Sequence, residues 1–484
     1  MPPRKHVRQQ RRKQAARRAL IVLVLLLILA VIAGGIALLV NTIRNHSAGG
    51  ETGATTTTGP REPAVTATAT LGSSGDILIH TPVLRSAKVS AGVYDFAPMF
   101  KHMKPYVTAL DYSAINLEFG IGKGESDYYQ REMIFRVPAS LIDTVMDTGY
   151  ALGLCANNHV SNGSSLTLTE STYAERNLDH IGLRGSAQDK RYLVKDVNGI
   201  KLGFVNYTYG SATSDQTLVN YFSTANLDAF YKDMETQMAN MRAEGAEAII
   251  VYLHWGSEYQ IKPLESQTTM AKKLCEMGVD VIVGGHPHKI QPLELITAEN
   301  GNQTVCLYSM GNILSNQTIE SMYGGSYAAN RGGNFQDYGT CQYADVKSRY
   351  NDSHYGEHDE NCNDNGHTED GLLFQCNFAR YEDGTVFLSG VDVLPTWCYS
   401  KARNDGSKQK DYTIIPLDKK VADWTAAFGV AEEDVIFAKR SYDRTMALVG
   451  NGIAEINAAC KANIDAYVEA FKKAQLPAST TAQP

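Results

Sequence analysis

An α/β domain preceded by one transmembrane helix is what this sequence predicts, and three observations carry that reading. From Leu71 onward, short apolar runs alternate with stretches of helical periodicity. Two runs, Ala248 to Leu253 and Val279 to Val283, lead into histidine-bearing segments, His254-Trp255-Gly256-Ser257-Glu258 and Gly285-His286-Pro287-His288. Ile/Val-rich runs of this kind read as buried parallel strands. Open α/β sheets place their active sites at such strand ends. Ahead of the domain, a basic stretch is followed by a long segment without a charge.

Residues 1–18 carry Arg4, Lys5, Arg8, Arg11, Arg12, Lys13, Arg17 and Arg18 and no acidic residue. Residues 19–40 are uncharged, and a helix of that length spans about 33 Å, enough for a bilayer. The positive-inside rule then keeps the basic tail in the cytoplasm and puts everything after Val40 outside it, as a single-pass membrane protein. A nucleic-acid partner explains the basic run less well. The apolar core is long for a cleavable signal peptide, and no clear small-x-small site follows it. Residues 41–70, with Thr55-Thr56-Thr57-Thr58, Gly59-Pro60 and Pro63, read as a tether with too little apolar surface to pack. The net charge of −7 includes the basic tail, so the exported part is more acidic still, which argues against a broad polyanion-binding surface.

Expected strands are Ala67 to Ile79, Tyr112 to Leu117, Ala151 to Cys155, Lys201 to Tyr207, Ala248 to His254, Val279 to Val283 and Val305 to Met310. Helix patterns cover Ser140 to Thr148, Leu166 to His180, Leu227 to Glu244 and Glu265 to Met277. The main domain is expected over residues 71–400. Ser315 to Gly371 interrupts it with Gly, Asn, Asp, Tyr and His and no apolar period, and reads as a long inserted loop. Strands return at Gly371 to Arg380 and Thr385 to Leu394. Residues 401–484 form a helical extension, in which Val449, Ile453, Ile456, Cys460, Ile464, Tyr467 and Phe471 make a stripe expected to pack on the domain's own flank.

Eight cysteines do not make a disulfide scaffold in a chain of this size. Cys341 and Cys362, in one polar segment, are the expected pair, and that closure contributes roughly 3 kcal/mol in the chain-entropy model. Cys155, Cys275 and Cys306 lie in apolar surroundings, as buried thiols do.

The chemistry is concentrated where strands end. Gly75-Asp76, Asn116-Leu117-Glu118, Asn157-Asn158-His159, His254 with Glu258, His286 and His288 with Gln291, and Ser309-Met310-Gly311-Asn312 with Gln317 follow one another in that order. This mixed oxygen and nitrogen set suits Mn, Fe or Zn better than a sulfur-preferring ion. Two such ions about 3.5–4 Å apart are a usual device for hydrolysing phosphate esters. Trp255 reads equally well as a stacking surface and as core. His354, His358 and His367 with Asp359, Glu360 and Cys362 fit no standard zinc spacing and read as solvated loop.

Taken together, these motifs resemble the CapA proteins, the capsule-biosynthesis proteins of bacterial poly-γ-glutamate systems, over roughly Thr70 to Leu394. That family belongs to the calcineurin-like metallophosphatase superfamily. The resemblance therefore implies a four-layer α/β/β/α sandwich and one or two divalent ions. It implies Asp76 as a ligand of the first metal, Glu118 as the bridge, Asn158, His254 and His286 on the second metal, and His288 returning to the first. His159 matches the histidine that protonates a leaving group, or else hydrogen-bonds the metal shell. Asn116, Glu258, Gln291 and Asn312 complete the expected pocket. One departure stands out: the superfamily opens on Asp-x-His, but Leu78 follows Asp76 here. His80 faces the same side of an extended strand, yet its Cα would lie some 13 Å from that of Asp76 at about 3.3 Å per residue. The expectation is one firm metal on the Asn158/His254/His286 side and a weak first position.

The functional expectation is a membrane-anchored, exported protein acting in synthesis, export or retention of a poly-γ-glutamate-type polymer. Its expected partners are the membrane, the anionic polymer or another envelope substrate, and other subunits of a polymer synthase complex. Two alternatives stay open: a metal-dependent phosphoesterase or other hydrolase acting on an envelope substrate, and a non-catalytic scaffold for the synthase.

Overall fold

A computed structural model describes residues 60–128, 134–209, 217–317, 367–407 and 409–476. The basic tail, the expected membrane helix, most of the tether, most of the insertion and the expected Cys341/Cys362 pair lie outside those residues. None of the described helices is long and apolar enough to cross a membrane.

The described part is a mixed α/β unit built on two large sheets. The first contains β1 (Val65–Ile77), β2 (Tyr112–Asn116), β3 (Leu152–Leu154), β4 (Asp179–Ile181), and the late strands β12 (Asn312–Leu314), β13 (Asp370–Tyr381), β14 (Val386–Ala402) and β15 (Lys410–Pro416). Its order is β15-β14-β13-β1-β2-β3-β4, with β12 also paired to β1. The second contains β5 (Tyr192–Val197), β6 (Ile200–Tyr209), β7 (Tyr221–Phe222), β8 (Ala248–His254), β9 (Val281–Gly285), β10 (Leu293–Thr297) and β11 (Gln303–Leu307). Its order is β7-β6-β8-β9-β11-β10, with β5 on β6.

The Ile/Val-rich runs are the parallel centres of these sheets: β1, β2, β3 and β4 run parallel, as do β6, β8, β9 and β11. Alternation along each strand serves two faces. Leu71, Phe374 and Val393 of the first sheet meet Leu202, Phe204, Ile250 and Val283 of the second in one shared core. The outer face of the first sheet packs under α1 (Thr81–Ala87) and α2 (Ser140–Thr148) through Val83, Leu84, Leu141 and Val145. The outer face of the second packs under α4 (Leu227–Ala243) and α5 (Glu265–Met277) through Met234, Met241, Met270 and Leu274. Helix ends follow local chemistry. Ser165 caps α3 (Leu166–Glu175) by accepting from the Leu168 amide, Asn226 caps α4 through Ala229, and left-handed Gly149 and Gly278 close α2 and α5.

The apolar stripe of the extension folds as α6 (Val435–Ala474) and packs against β14 and β10 of its own unit. A Cβ at Gly452 would come within 1.9 Å of the Leu293 carbonyl oxygen, so a glycine is what lets the helix lie this close to β10. Asn457 completes the contact, accepting from the Val391 amide and donating to the Val391 carbonyl.

Several boundaries differ from expectation: the helix from Leu166 stops at Glu175, where β4 then takes up Asp179–Ile181, and both sequence ends of the first sheet move. β1 begins at Val65, inside the expected tether, because the alternating Val65 to Thr70 run pairs antiparallel with β13. β14 continues through Pro395 to Ala402, and β15 adds a further strand, so the first sheet runs past residue 400. A proline ordinarily demotes a strand. Here it sits opposite the end of β15, and its carbonyl still accepts from the Leu417 amide.

Candidate metal centre

Strand register assembles the site. Asp76 lies beside Asn116 on β2 and beside Asn312 on β12, while His254 on β8 lies beside Gly285 on β9. Asp76, Asn116, His254 and Gly285 are at the carboxyl ends of parallel strands, and Asn312 opens β12. The turn after β9 is strained: His286 has φ +92° and His288 φ +57°, conformations that side chains rarely adopt and that cluster at functional sites. Gly285 is required in that turn, because a Cβ there would lie 2.9 Å from Asp76 Oδ1.

Asp76 is fully buried, and both of its oxygens are used. Asn116 Nδ2 donates to Oδ1 at 2.6 Å. The His286 amide donates to Oδ2 at 3.2 Å, and His288 Nδ1 lies 3.1 Å from the same oxygen. Burial raises the Asp76 pKa, but the bonds from His288, Asn116 and the His286 amide outweigh it and hold the carboxyl below its usual range. Asn312 is the second partner of His288 Nδ1, at 3.1 Å, and its own amide donates to Gln317 Oε1 and the Thr368 carbonyl.

Glu118 sits across from this pair. Asn116 Nδ2 reaches Glu118 Oε2 at 3.4 Å, while Oε1 is buried without a hydrogen bond. His254 Nε2 lies 3.5 Å and His288 Nε2 3.9 Å from that oxygen. Burial, then the charges of Asp76 and Glu258, push the Glu118 pKa well above the usual carboxylate value. His254 Nε2 is also 2.8 Å from Asn158 Oδ1. Two atoms each about 2.1 Å from one ion lie roughly 3.0–3.4 Å apart at square or tetrahedral angles, and the 2.8 and 3.5 Å from His254 to Asn158 and Glu118 fall on either side of that range. His254 and His286 face each other with ring centroids 4.8 Å apart, and the Nδ1 of each is buried without a partner. Burial drives both imidazoles down, His254 well below its ordinary value and His286 to about 3, with the neighbouring histidines adding to it. Both are therefore neutral and suited to metal binding.

Ligand atoms within 4.8 Å of one another form three overlapping groups: Glu118/His254/His286, Glu258/His286/His288 and Asp76/Glu118/His288. These buried groups could hold a metal ion. His159 Nδ1 is 2.7 Å from Asn162 Oδ1 and its buried Nε2 has no partner. Burial lowers it to about 4, against the opposing bond to Asn162. Gln291 stands apart: it accepts from Gln267 and donates to the Gln260 and Lys262 carbonyls, bracing the segment after β8. Trp255 is core, stacked on Tyr308 and donating to its carbonyl at 2.9 Å. His80 is half-buried, its ring edge-on to Phe135 at 4.8 Å, with Nδ1 3.3 Å from the Asn316 amide and from the Leu78 carbonyl. Leu78 itself is in the apolar core beneath the helices.

The structure adds one residue the motifs did not name and gives Asn157, which they did, its contacts. Tyr209, at the end of β6, places its hydroxyl 2.5 Å from His286 Nε2. Asn157 Nδ2 donates to Asn116 Oδ1 and to the Leu117 carbonyl. The expected strand stopped at Tyr207, and the Tyr209 contact spans so much sequence that only the β6–β8–β9 order reveals it.

A family model described as bacterial capsule synthesis protein PGA_cap matches residues 70–317, half of the chain and every residue of the expected ligand set. The chain belongs to this family. Within it, the chain is 27% identical over 252 residues to the capsule biosynthesis protein CapA of Bacillus anthracis, covering 50% of this chain and 59% of that protein. It is 28% identical over 227 residues to the PGA biosynthesis protein CapA of Bacillus subtilis (strain 168), covering 45% of this chain and 57% of that one. The aligned region thus spans under two thirds of each relative. In this family member, Asp370, Arg444 and the rest of α6 lie beyond the matched region.

Proposed function

We propose that this chain is a membrane-anchored, exported capsule-biosynthesis factor whose pocket holds a divalent ion and acts on a poly-γ-glutamate-type polymer during its synthesis, export or retention. Family membership and the two CapA relatives support the capsule role. The uncharged segment behind a basic tail supports the anchor. The observation that carries the metal reading is the convergence of Glu118, Asn158, His254 and His286, with Glu118 Oε1 and two imidazole nitrogens buried and unpaired. Such groups are costly to bury together without a partner. Glu118, Asn158, His254 and His286 would hold the firm ion, and Asp76, Glu118 and His288 a weaker one, with Mn, Fe or Zn suited to these donors. Two sheets sharing a core, helices outside and the site at strand ends support a metallophosphatase-like sandwich.

A bound divalent ion supplies a Lewis acid and an acidified water. His159, with an unpaired Nε2 and a ring oriented by Asn162, favours a hydrolytic version of the reading in which Nε2 takes a proton from water and passes it to a leaving group. The test is metal analysis of the purified full chain beside a panel of phosphoester and γ-glutamyl substrates. Stoichiometric metal with turnover of one class supports the proposal. Protein that stays metal-free after incubation with Mn, Fe and Zn salts would overturn it. A reporter active only outside the cytoplasm, fused after Thr70, should be active, whereas activity of a cytoplasm-only reporter there would refute the export.

A further inference from the structure

We propose that Tyr209 is a positioning residue: its hydroxyl oxygen accepts from His286 Nε2–H, so that Nδ1 faces the ion, and its own proton is left to donate to an anionic oxygen of the substrate. This rests on the metal reading above and adds a substrate contact to it.

Tyr209 ends β6, one residue beyond Thr208, which pairs with His254. Its oxygen lies 2.5 Å from His286 Nε2 and the two rings meet edge-on at 4.9 Å. Those contacts occupy the Nε2 side of the imidazole. The other nitrogen, Nδ1, is buried without a hydrogen bond, and Glu118 and His254 lie within ligand reach of the ring. A neutral imidazole has one proton, and a nitrogen that binds metal must present its lone pair. With Nδ1 on the ion, Nε2 carries the hydrogen and the tyrosine oxygen accepts it. This is how a metal-bound histidine is commonly oriented, by a hydrogen bond to its other nitrogen.

A phenol has one proton of its own to give. Tyr209 makes no further side-chain hydrogen bond among the described residues, and its phenol senses the charges of Glu258 and Glu118, on the side of the metal cluster. The proton is thus free for a ligand beside the Glu118/His254/His286 group. An oxygen with negative charge at that place, from a phosphoryl or a carboxyl group, would accept it, and a donor fixed in advance stabilises developing charge without reorganisation.

The experiment compares the full chain with Tyr209→Phe, which keeps the ring and removes the oxygen. The Mn2+ dissociation constant should rise about 10–100-fold, while thermal unfolding of the metal-free protein stays in place. At saturating Mn2+, binding of orthophosphate or of glutarate should weaken about tenfold, and the anion affected identifies a phosphoryl or a carboxyl substrate. Wild-type Mn2+ affinity in the variant overturns the positioning role, and unchanged binding of both anions overturns the donor role. A wild type that binds no Mn2+, Fe2+ or Zn2+ would instead bring down the metal reading itself. If the variant does not fold, histidine 15N spectra of the Zn2+-loaded wild type decide the point. Metal on His286 Nδ1 with a proton on Nε2 supports the assignment, and metal on Nε2 overturns it.

Discussion

The two halves of the pocket treat their polar groups in opposite ways. On the side of β1 and β12, Asp76 has both oxygens hydrogen-bonded, His288 Nδ1 is shared between Asp76 and Asn312, and the Asn312 amide is held by Gln317 and Thr368. On the side of β8 and β9, Glu118 Oε1, His254 Nδ1 and His286 Nδ1 are buried with no hydrogen bond. One half is closed by protein alone, and the other has bonding capacity left over. An ion is worth most where burial has already removed water and no protein partner replaces it. The difference teaches that the unusual Leu78 is matched by its surroundings: the half that lacks the usual histidine is the half that satisfies itself.

The most direct way to break this comparison is the His254→Ala/His286→Ala double variant. It should lose all bound metal, read by elemental analysis, while its circular dichroism stays native, since His254 ends β8, His286 lies in the turn after β9, and neither belongs to the apolar core. Full metal retention would refute the ligand assignment.

The closed half should respond in stability instead. Asp370, at the start of β13, is clamped by Arg444 of α6 at 2.9 Å, with both side chains 2% exposed, and by Ser441 at 2.7 Å. Burial raises the Asp370 pKa, but Arg444 overrides it and holds the carboxyl below its usual range. Arg444→Ala leaves that charge buried and unpaired, which costs about 3–5 kcal/mol. Urea unfolding should show the loss, and the surviving folded protein should keep its firmly held ion. Loss of metal in parallel with stability would mean that the two halves are not separable.

How far the sequence revealed this follows from the range of the interactions. The strands were legible because Ile/Val runs such as Ala248 to Leu253 are local signals, and α2 and α5 match the expected Ser140 to Thr148 and Glu265 to Met277. The convergence of His254, His286 and His288 was legible because they follow such runs, and Asp76 and Glu118 because they close other strand-like segments. The Asp370–Arg444 clamp was not, since its partners are 74 residues apart and each alone looks like surface charge. Nor was Tyr209, whose partner is 77 residues away. Gln291 shows the converse error of proximity: it is three residues from His288 in sequence, yet its side chain turns to Gln260 and Gln267.

A gain-of-function change sharpens the comparison further. Leu78→His introduces beside Asp76 the Asp-x-His spacing that a metallophosphatase-like site would have. If the closed half is weak for want of that ligand, bound metal should rise by one ion per chain, at some cost in stability from placing an imidazole in the apolar core. Unchanged stoichiometry would show that the hydrogen bonds to Asp76, rather than the missing histidine, keep an ion out.

The smallest expected effect concerns His80, the imidazole nearest in sequence to the missing ligand. Burial depresses its pKa from 6.5 to about 3, partly opposed by the Leu78 carbonyl and reinforced by His288 and His159. The folded protein thus keeps His80 neutral where the unfolded chain protonates it. A depressed histidine contributes stability that is present above pH 6.5 and is lost as pH falls from there toward 3. His254, His286 and His159 act in the same direction, so His80 is best isolated in the His254→Ala/His286→Ala background. Adding His80→Gln there should flatten the decline of unfolding free energy between pH 6.5 and 4 by up to one proton's worth of slope, measured by urea titration at stepped pH. A slope unchanged by the substitution would mean that His80 is reached by solvent and already protonated in the folded state. It would then be an open face of the closed half rather than part of its packing.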